Sequence, residues 1–121
     1  MNDPYPKVSV IVPVLNRARS MDRCLRSLVA LDYPSFEIIV VDNGSTDGSP
    51  EAALRDFPDI RVQRLPENLG AGGARNVGLR EAPTDRILFI DNDVSLTLRC
   101  IEKLAEAMDA NPQAGLAAAA V

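Results

Sequence analysis

Two aspartates separated by one residue stand in the segment Asp91-Asn92-Asp93, directly after the apolar run RILFI. In extended backbone, residues two apart point to the same side, so both carboxylates can converge on one divalent cation. Two carboxylates leave most of the coordination sphere of Mg²⁺ or Mn²⁺ open, which suits a cation shared with a diphosphate. Aspartate pairs are also common in ordinary turns, and the position after a buried strand is what favours a metal site.

A glycine-rich segment from Asn68 to Gly78 (NLGAGGARNVG) is a second candidate for ligand binding. Its glycines, among them Gly70, permit close backbone approach, but they fit neither the GxGxxG dinucleotide motif nor the GxxxxGK[ST] phosphate loop. Arg75 supplies a fork of donors that can grip a phosphate or a base edge from this loop. The ordinary alternative is a solvated arginine at the start of a helix.

The composition excludes several kinds of chemistry. The 121 residues include no histidine, which rules out a histidine base and a histidine-ligated metal. A net charge of -4 argues against a nucleic-acid partner. Cys24 and Cys100 have no CxxC spacing and are predicted to be buried free thiols. No apolar run approaches the roughly 18 residues of a membrane span and no signal-peptide pattern is seen, so the predicted location is cytoplasmic, including the inner face of the membrane.

Hydrophobic periodicity predicts the elements that must position these residues. Runs of β-branched and apolar residues indicate strands covered on both faces, and apolar residues at helical spacing indicate amphipathic helices. The predicted strands are 7–14, 36–41, 60–65, 86–90 and 115–121, and the predicted helices are 21–29, 49–57, 74–80 and 98–108. This alternation predicts an α/β fold with a mostly parallel sheet and helices on both of its faces.

Polar clusters follow three of the predicted strands. They are Asn16 with Arg17, the segment Asp42 to Asp47, and the segment Asp91 to Asp93. Ligands in an open parallel sheet bind beyond the carboxyl ends of the strands. Each cluster alone is explained by turn chemistry, whereas all three together predict one ligand site at that edge.

Four motifs in order, VSVIVPVLN, IIVVDNGSTDGS, NLGAGGARNVG and ILFIDNDV, resemble the nucleotide-binding half of a family 2 glycosyltransferase with the GT-A fold. The resemblance covers Val8 to about Val121. It implies that residues 1–121 are the donor-binding portion and that the acceptor-binding half, with its catalytic base, lies beyond Val121. The family often has VDDGSTD, and the variant with Asn43 is similar to rhamnosyltransferase-like members.

The resemblance also implies a set of ligand-binding residues. Asp42 would contact the base, Arg75 the nucleotide or its diphosphate, and Asp91 the ribose and the metal. Asp93 would be the direct ligand of Mg²⁺ or Mn²⁺. The implied nucleotide-sugar site comprises Pro13, Val14, Asn16, Asp42, Asn68, Gly70, Arg75, Asp91 and Asn92, and the donor could be linked to UDP, dTDP or GDP.

The implied reaction is an inverting transfer of a sugar to an acceptor hydroxyl on a glycan, a lipid or a small molecule. The chain alone is expected to bind nucleotide weakly and not to turn over efficiently. Two alternatives stay open. A sugar-phosphate nucleotidyltransferase ordinarily carries its glycine-rich loop after the first strand, where this chain has VLNRARS. The other is a non-catalytic nucleotide-sugar-binding module. An apolar terminal strand at the sheet edge could also pair two copies into a homodimer.

Overall fold

A computed structural model describes residues 5–118 as strands and helices that alternate along the chain. The strands are β1 (Val8–Val14), β2 (Phe36–Asp42), β3 (Arg61–Arg64) and β4 (Arg86–Phe89). The helices are α1 (Ala18–Val29), α2 (Ser49–Asp56), α3 (Gly70–Glu81) and α4 (Cys100–Ala110). None of these helices is both long enough and apolar enough to cross a lipid bilayer.

The strands form one parallel sheet in the order β3-β2-β1-β4. β1 lies in the interior of the sheet and is buried along its whole length, as its continuous apolar run predicts. The chain adds β2 and β3 on one side of β1 and then crosses to place β4 on the other side. Strand order therefore reverses between β1 and β4, which is where ligands bind in folds of this kind.

The two faces of the sheet carry separate apolar cores, which confirms the prediction of helices on both sides. Alternate residues of β1 point to opposite faces, so Val10 and Val12 join one core and Ile11 joins the other. The larger core also takes buried side chains from α1, α2 and α4, whereas the smaller core takes Ala74 from α3.

Helix α3 begins earlier than the sequence predicts. Its first residue is Gly70, so most of the glycine-rich segment is helical and Arg75 stands in the second turn, not on a loop. Glycine disfavours helix interiors by about 1 kcal/mol, but tertiary packing overrides that preference here. A Cβ atom at Gly78 would lie 2.4 Å from Ile11 Cγ2 and 3.2 Å from Val41 Cγ2. The glycine therefore lets α3 lie directly on the sheet.

The predicted strand at 115–121 is wrong for residues 115–118, which form no strand, and residues 119–121 lie outside the described part of the chain. A turn precedes the segment, with the Ala114 N–H donating to the Asn111 carbonyl at 2.8 Å. Residues 115–117 then lie near β4, and Leu116 is 84% exposed. Apolar composition alone does not make a strand, because a strand also needs a partner in register.

Candidate functional site

An open cleft of about 480 Å³ lies at the carboxyl ends of β1 and β4, where strand order reverses. Its lining residues come from the ends of three strands and from the starts of α1 and α3. They are Pro13, Val14, Leu15, Arg17, Ser20, Asn43, Asn68, Gly70, Ala71, Asp91, Asn92 and Asp93. The structure thus brings Pro13, Val14, Asn68, Gly70 and the whole acidic segment together, as the sequence predicts.

The acidic segment 91–93 forms a turn and not extended backbone, because the Val94 N–H donates to the Asp91 carbonyl at 3.1 Å. The prediction that an extended backbone aligns the two aspartates is therefore wrong, because β4 ends at Phe89, before Asp91. Asp91 and Asp93 nevertheless line the same cleft, and both are exposed. The described residues contain no group of three or more His, Cys, Asp and Glu side chains suited to a metal. A cation here would need further oxygen ligands from outside the chain.

Asn92 holds the acidic turn against its neighbours. Its amide nitrogen donates to the Pro13 carbonyl at 3.0 Å, and its oxygen accepts a hydrogen bond from the Ser20 hydroxyl at 3.3 Å. The Cys24 thiol donates to the Asp91 carbonyl at 3.8 Å. Burial and, to a smaller extent, the negative charge of the Asp93 carboxylate together raise the pKa of Cys24 to about 11. The turn is thereby fixed to both β1 and α1.

Arg75 does not line the cleft but reaches its acidic wall. The guanidinium Nη2 lies 2.8 Å from Asp91 Oδ1, with side-chain exposures of 37% for Arg75 and 60% for Asp91. Arg75 reaches Asp91 from the second turn of α3, so this ion pair connects α3 with the turn that follows β4. One of the two candidate metal ligands is therefore already paired with a cation of the protein.

Asn43 links the end of β2 to the start of α3. Its amide nitrogen donates to the Gly70 carbonyl at 3.3 Å, and its oxygen accepts from the Leu69 N–H at 3.2 Å. Asn68 Oδ1 accepts from the Gly70 N–H at 2.8 Å. Gly70 itself has φ +76, a left-handed conformation that glycine adopts without strain.

Asp42 and Asn16 are not among the residues that line the cleft. The Asp42 carboxylate is 1% exposed and accepts from the Ser45 N–H at 3.1 Å, with Arg64 Nε at 3.9 Å. Asn16 accepts from the Thr46 N–H at 2.8 Å, and its own N–H donates to Ser45 Oγ at 2.9 Å. Both side chains hold the β1–α1 and β2–α2 loops in place.

Five lining residues are absent from the nucleotide-sugar site that the sequence implies: Leu15, Arg17, Ser20, Asn43 and Ala71. Of these, Arg17 and Asn43 belong to the polar clusters predicted after the first and second strands. Arg17 is exposed and makes no ion pair with any other described residue. The position of Ser20 could have been predicted from sequence, because it stands one helical turn after Asn16 and Arg17, within the first turn of α1. Ala71 carried no signal of its own, because its place depends on where α3 begins.

Comparison with known proteins gives a consistent result. The family model described as glycosyl transferase family 2 matches residues 9–121. The glycosyltransferase AglE of Haloferax volcanii is 33% identical over 108 residues, which cover 85% of this chain and 36% of that protein.

Two solved structures with bound ligands are similar to this fold. Staphylococcus aureus TarS in complex with UDP-GlcNAc matches with a TM-score of 0.79 and 33% identity, covering 88% of this chain and 32% of that one. A mannosyltransferase from Pyrobaculum calidifontis in complex with GDP-Man and Mn²⁺ matches with a TM-score of 0.79 and 31% identity, covering 88% of this chain and 34% of that one. The chain therefore spans about a third of the length of AglE and of each of the two structurally similar chains.

Proposed function

The chain belongs to glycosyl transferase family 2, and on that premise we propose that residues 1–121 form a donor-binding portion that holds a nucleoside-diphosphate sugar in the cleft. One observation carries the proposal: Pro13 and Val14 face the acidic turn 91–93 across the topological switch point of the sheet. The apolar end of β1 offers a surface for a base and ribose, and the acidic turn offers oxygen ligands.

The donor set of the acidic turn fits a hard divalent cation such as Mg²⁺ or Mn²⁺. Asp91 and Asp93 are exposed carboxylates in one cleft, and Mg²⁺ is typically held by one or two carboxylates together with substrate phosphates. When bound, such a cation stabilises the negative charge that develops on a departing diphosphate. The mannosyltransferase with GDP-Man and Mn²⁺ supports a divalent cation at sites of this fold.

The remaining cleft residues orient the ligand in this proposal. Asn92 keeps the acidic turn at a fixed distance from β1 through its bond to the Pro13 carbonyl. Asn68 and Gly70 present the start of α3, whose N–H groups and positive dipole end favour an anion. Asp42 holds the loop after β2, and we propose that the base of the nucleotide lies next to that loop.

The proposed reaction is an inverting transfer, in which an acceptor hydroxyl attacks the anomeric carbon and displaces the nucleoside diphosphate. Such a step needs a base for the hydroxyl proton. Asp91 and Asp93 are the carboxylates that line the described cleft, and both are assigned to the cation, so neither is left for that role. We therefore propose that the base and the acceptor site belong to a part of the catalytic unit other than residues 1–121.

Calorimetry with a panel of UDP-, dTDP- and GDP-sugars tests the proposal, in Mn²⁺ and in chelator. We expect one nucleotide to bind in a metal-dependent way and the Asp93→Ala variant to lose that dependence. Asp59→Ala is the matched control, because Asp59 is an exposed aspartate that precedes β3 at the opposite end of the sheet. A folded wild-type protein that binds none of the panel, with or without Mn²⁺, would contradict the proposed donor site.

A further inference from the structure

The Arg75 guanidinium and the proposed cation compete for the same carboxylate, that of Asp91. Asp91 is one of the two carboxylates that the proposed function gives to the cation, and its Oδ1 already lies 2.8 Å from Arg75 Nη2. Asp93, by contrast, makes no hydrogen bond or ion pair with the other described residues beyond its electrostatic effect on Cys24. The guanidinium thus occupies one oxygen of Asp91 and places a positive charge beside any cation that the other oxygen would hold.

The geometry points to an exchange: Arg75 occupies Asp91 in the nucleotide-free protein, and an arriving diphosphate takes over the guanidinium and frees the carboxylate for the cation. This inference rests on the proposed function and assigns Arg75 a role in the order of binding. Guanidinium binds phosphate oxygens in the same bidentate manner as carboxylate oxygens, so the transfer replaces one anionic partner by another.

Exposure makes the exchange feasible. The side chains of Arg75 and Asp91 are 37% and 60% exposed, so a ligand can reach the pair from solvent. An exposed ion pair contributes little to stability, and its contribution is small beside that of the several charge-assisted bonds that a diphosphate can form. The pair is therefore strong enough to weaken cation binding but weak enough for a diphosphate to break.

The exchange predicts opposite effects of one substitution on two ligands. Arg75→Gln removes the competitor of the cation, so Mn²⁺ alone should bind about twofold to tenfold more tightly. The same substitution removes a donor to the diphosphate, so pyrophosphate in chelator should bind more weakly. A residue that only stabilised the fold would shift both affinities in the same direction.

The experiment measures Mn²⁺ affinity by the loss of the free Mn²⁺ electron paramagnetic resonance signal, and pyrophosphate affinity by calorimetry. Arg80→Gln is the matched control, since Arg80 is exposed on the same helix, makes no ion pair with any described residue and carries the same charge. We expect both affinities of that control to stay close to those of the wild type. In the double variant Arg75→Gln/Asp91→Asn, the gain in Mn²⁺ affinity should disappear, because the gain depends on the freed carboxylate.

Unchanged or weaker Mn²⁺ binding by folded Arg75→Gln would overturn the exchange, and so would unchanged pyrophosphate binding. If the glutamine variant does not fold, Arg75→Met takes its place, because methionine also removes the charge beside Asp91, and unchanged Mn²⁺ binding by folded Arg75→Met would likewise overturn the exchange. The proposed function is judged separately by the metal dependence of nucleotide-sugar binding in the wild type and in Asp93→Ala. If the wild type binds a nucleotide sugar in a metal-dependent way but Arg75→Gln gains no Mn²⁺ affinity, the exchange is refuted and the proposed function is not.

Discussion

The side-chain amide of Asn43 bridges two consecutive backbone groups, donating to the Gly70 carbonyl at 3.3 Å and accepting from the Leu69 N–H at 3.2 Å. Asn43 is 5% exposed and follows β2 directly. A carboxylate could accept from the Leu69 N–H but could not donate to the Gly70 carbonyl. Asparagine at this position therefore fixes the start of α3 in a way that an aspartate cannot.

Replacing Asn43 by alanine should loosen the start of α3 and weaken nucleotide binding. The substitution leaves the Leu69 N–H and the Gly70 carbonyl without their hydrogen-bond partner. This loss should lower the unfolding free energy by about 1–3 kcal/mol. Urea denaturation measures that loss, and calorimetry with whichever member of the nucleotide-sugar panel binds the wild type measures the affinity. Asn43→Asp, which keeps only the acceptor, should fall between the wild type and the alanine variant.

Asn76→Ala is the control for this experiment, because Asn76 is an exposed asparagine of the same helix for which the structure shows no side-chain hydrogen bond to a described residue. We expect its stability to change by less than about 0.5 kcal/mol. An Asn43→Ala variant as stable as Asn76→Ala would show that the bridge does not hold α3.

A methyl group at Gly78 should destabilise the protein although alanine favours helices. The added Cβ would lie 2.4 Å from Ile11 Cγ2, so the helix or the sheet must shift, and overpacking of this kind costs about 1–3 kcal/mol. Gly72→Ala is the matched control in the same helix, because its Cβ would meet no atom within 4 Å. Gly72→Ala should raise the unfolding free energy by up to about 1 kcal/mol. Denaturation curves that shift in the same direction for both variants would contradict close packing at Gly78.

The sequence predicts the strands of this fold well because β1 and β2 carry continuous apolar runs that are fully or largely buried. It fails where tertiary contacts decide the outcome. The start of α3 at Gly70 depends on the Asn43 bridge and on packing against Ile11, neither of which local propensity expresses. The residue pattern therefore begins the helix only at residue 74, directly before Arg75, whereas the structure begins it at Gly70.

In the site, too, the sequence predicts the general location but not the details that tertiary contacts decide. The prediction that residues after β1, β2 and β4 share one edge of the sheet requires only a parallel sheet, and the structure confirms it. Which side chains face the cleft depends on the local turns. Asp42 and Asn16 are used by backbone groups of the β2–α2 loop, so they do not line the cleft, while Arg17 does. No residue pattern distinguishes these cases before the turns are known.

Both cysteines should react slowly with alkylating reagents, and Cys24 should be the slower. Burial raises the pKa of both thiols, and that of Cys24 reaches about 11. At pH 8 this leaves on the order of one Cys24 thiol in a thousand as the reactive thiolate. Mass spectrometry after a timed pulse of iodoacetamide should find Cys100 modified first and Cys24 modified only in urea. Rapid labelling of Cys24 in the folded protein would contradict its burial.

The raised pKa of Cys24 also predicts how stability depends on alkaline pH. The folded protein disfavours the thiolate, so the stabilising contribution is fully present below pH 9.0, the ordinary value, and is lost as pH rises from 9.0 to about 11. Denaturation midpoints measured across this range should fall more steeply for the wild type than for Cys24→Ala. If the denaturation midpoints of the two proteins fall equally with pH, a group other than Cys24 causes the loss of stability at alkaline pH.

Replacing Arg17 by glutamine should weaken the binding of a nucleoside diphosphate. Arg17 lines the cleft at the start of α1, and no described carboxylate pairs with it, so its guanidinium is free to meet an anion. Loss of one charge-assisted bond at an exposed site should reduce affinity by about threefold to tenfold. The reduction should be larger at low ionic strength, because salt screens exposed charges over about 10 Å at 0.1 M.

Arg19→Gln separates the position of this charge from its mere presence. Arg19 is exposed on the same helix, makes no ion pair with a described residue and does not line the cleft. Both variants lower the net charge equally, so a general electrostatic effect would weaken binding to the same extent in each. We expect calorimetry at two salt concentrations to show a clear loss for Arg17→Gln and little change for Arg19→Gln. Equal losses would mean that the cleft attracts the diphosphate only through overall charge, and that Arg17 makes no direct contact with it.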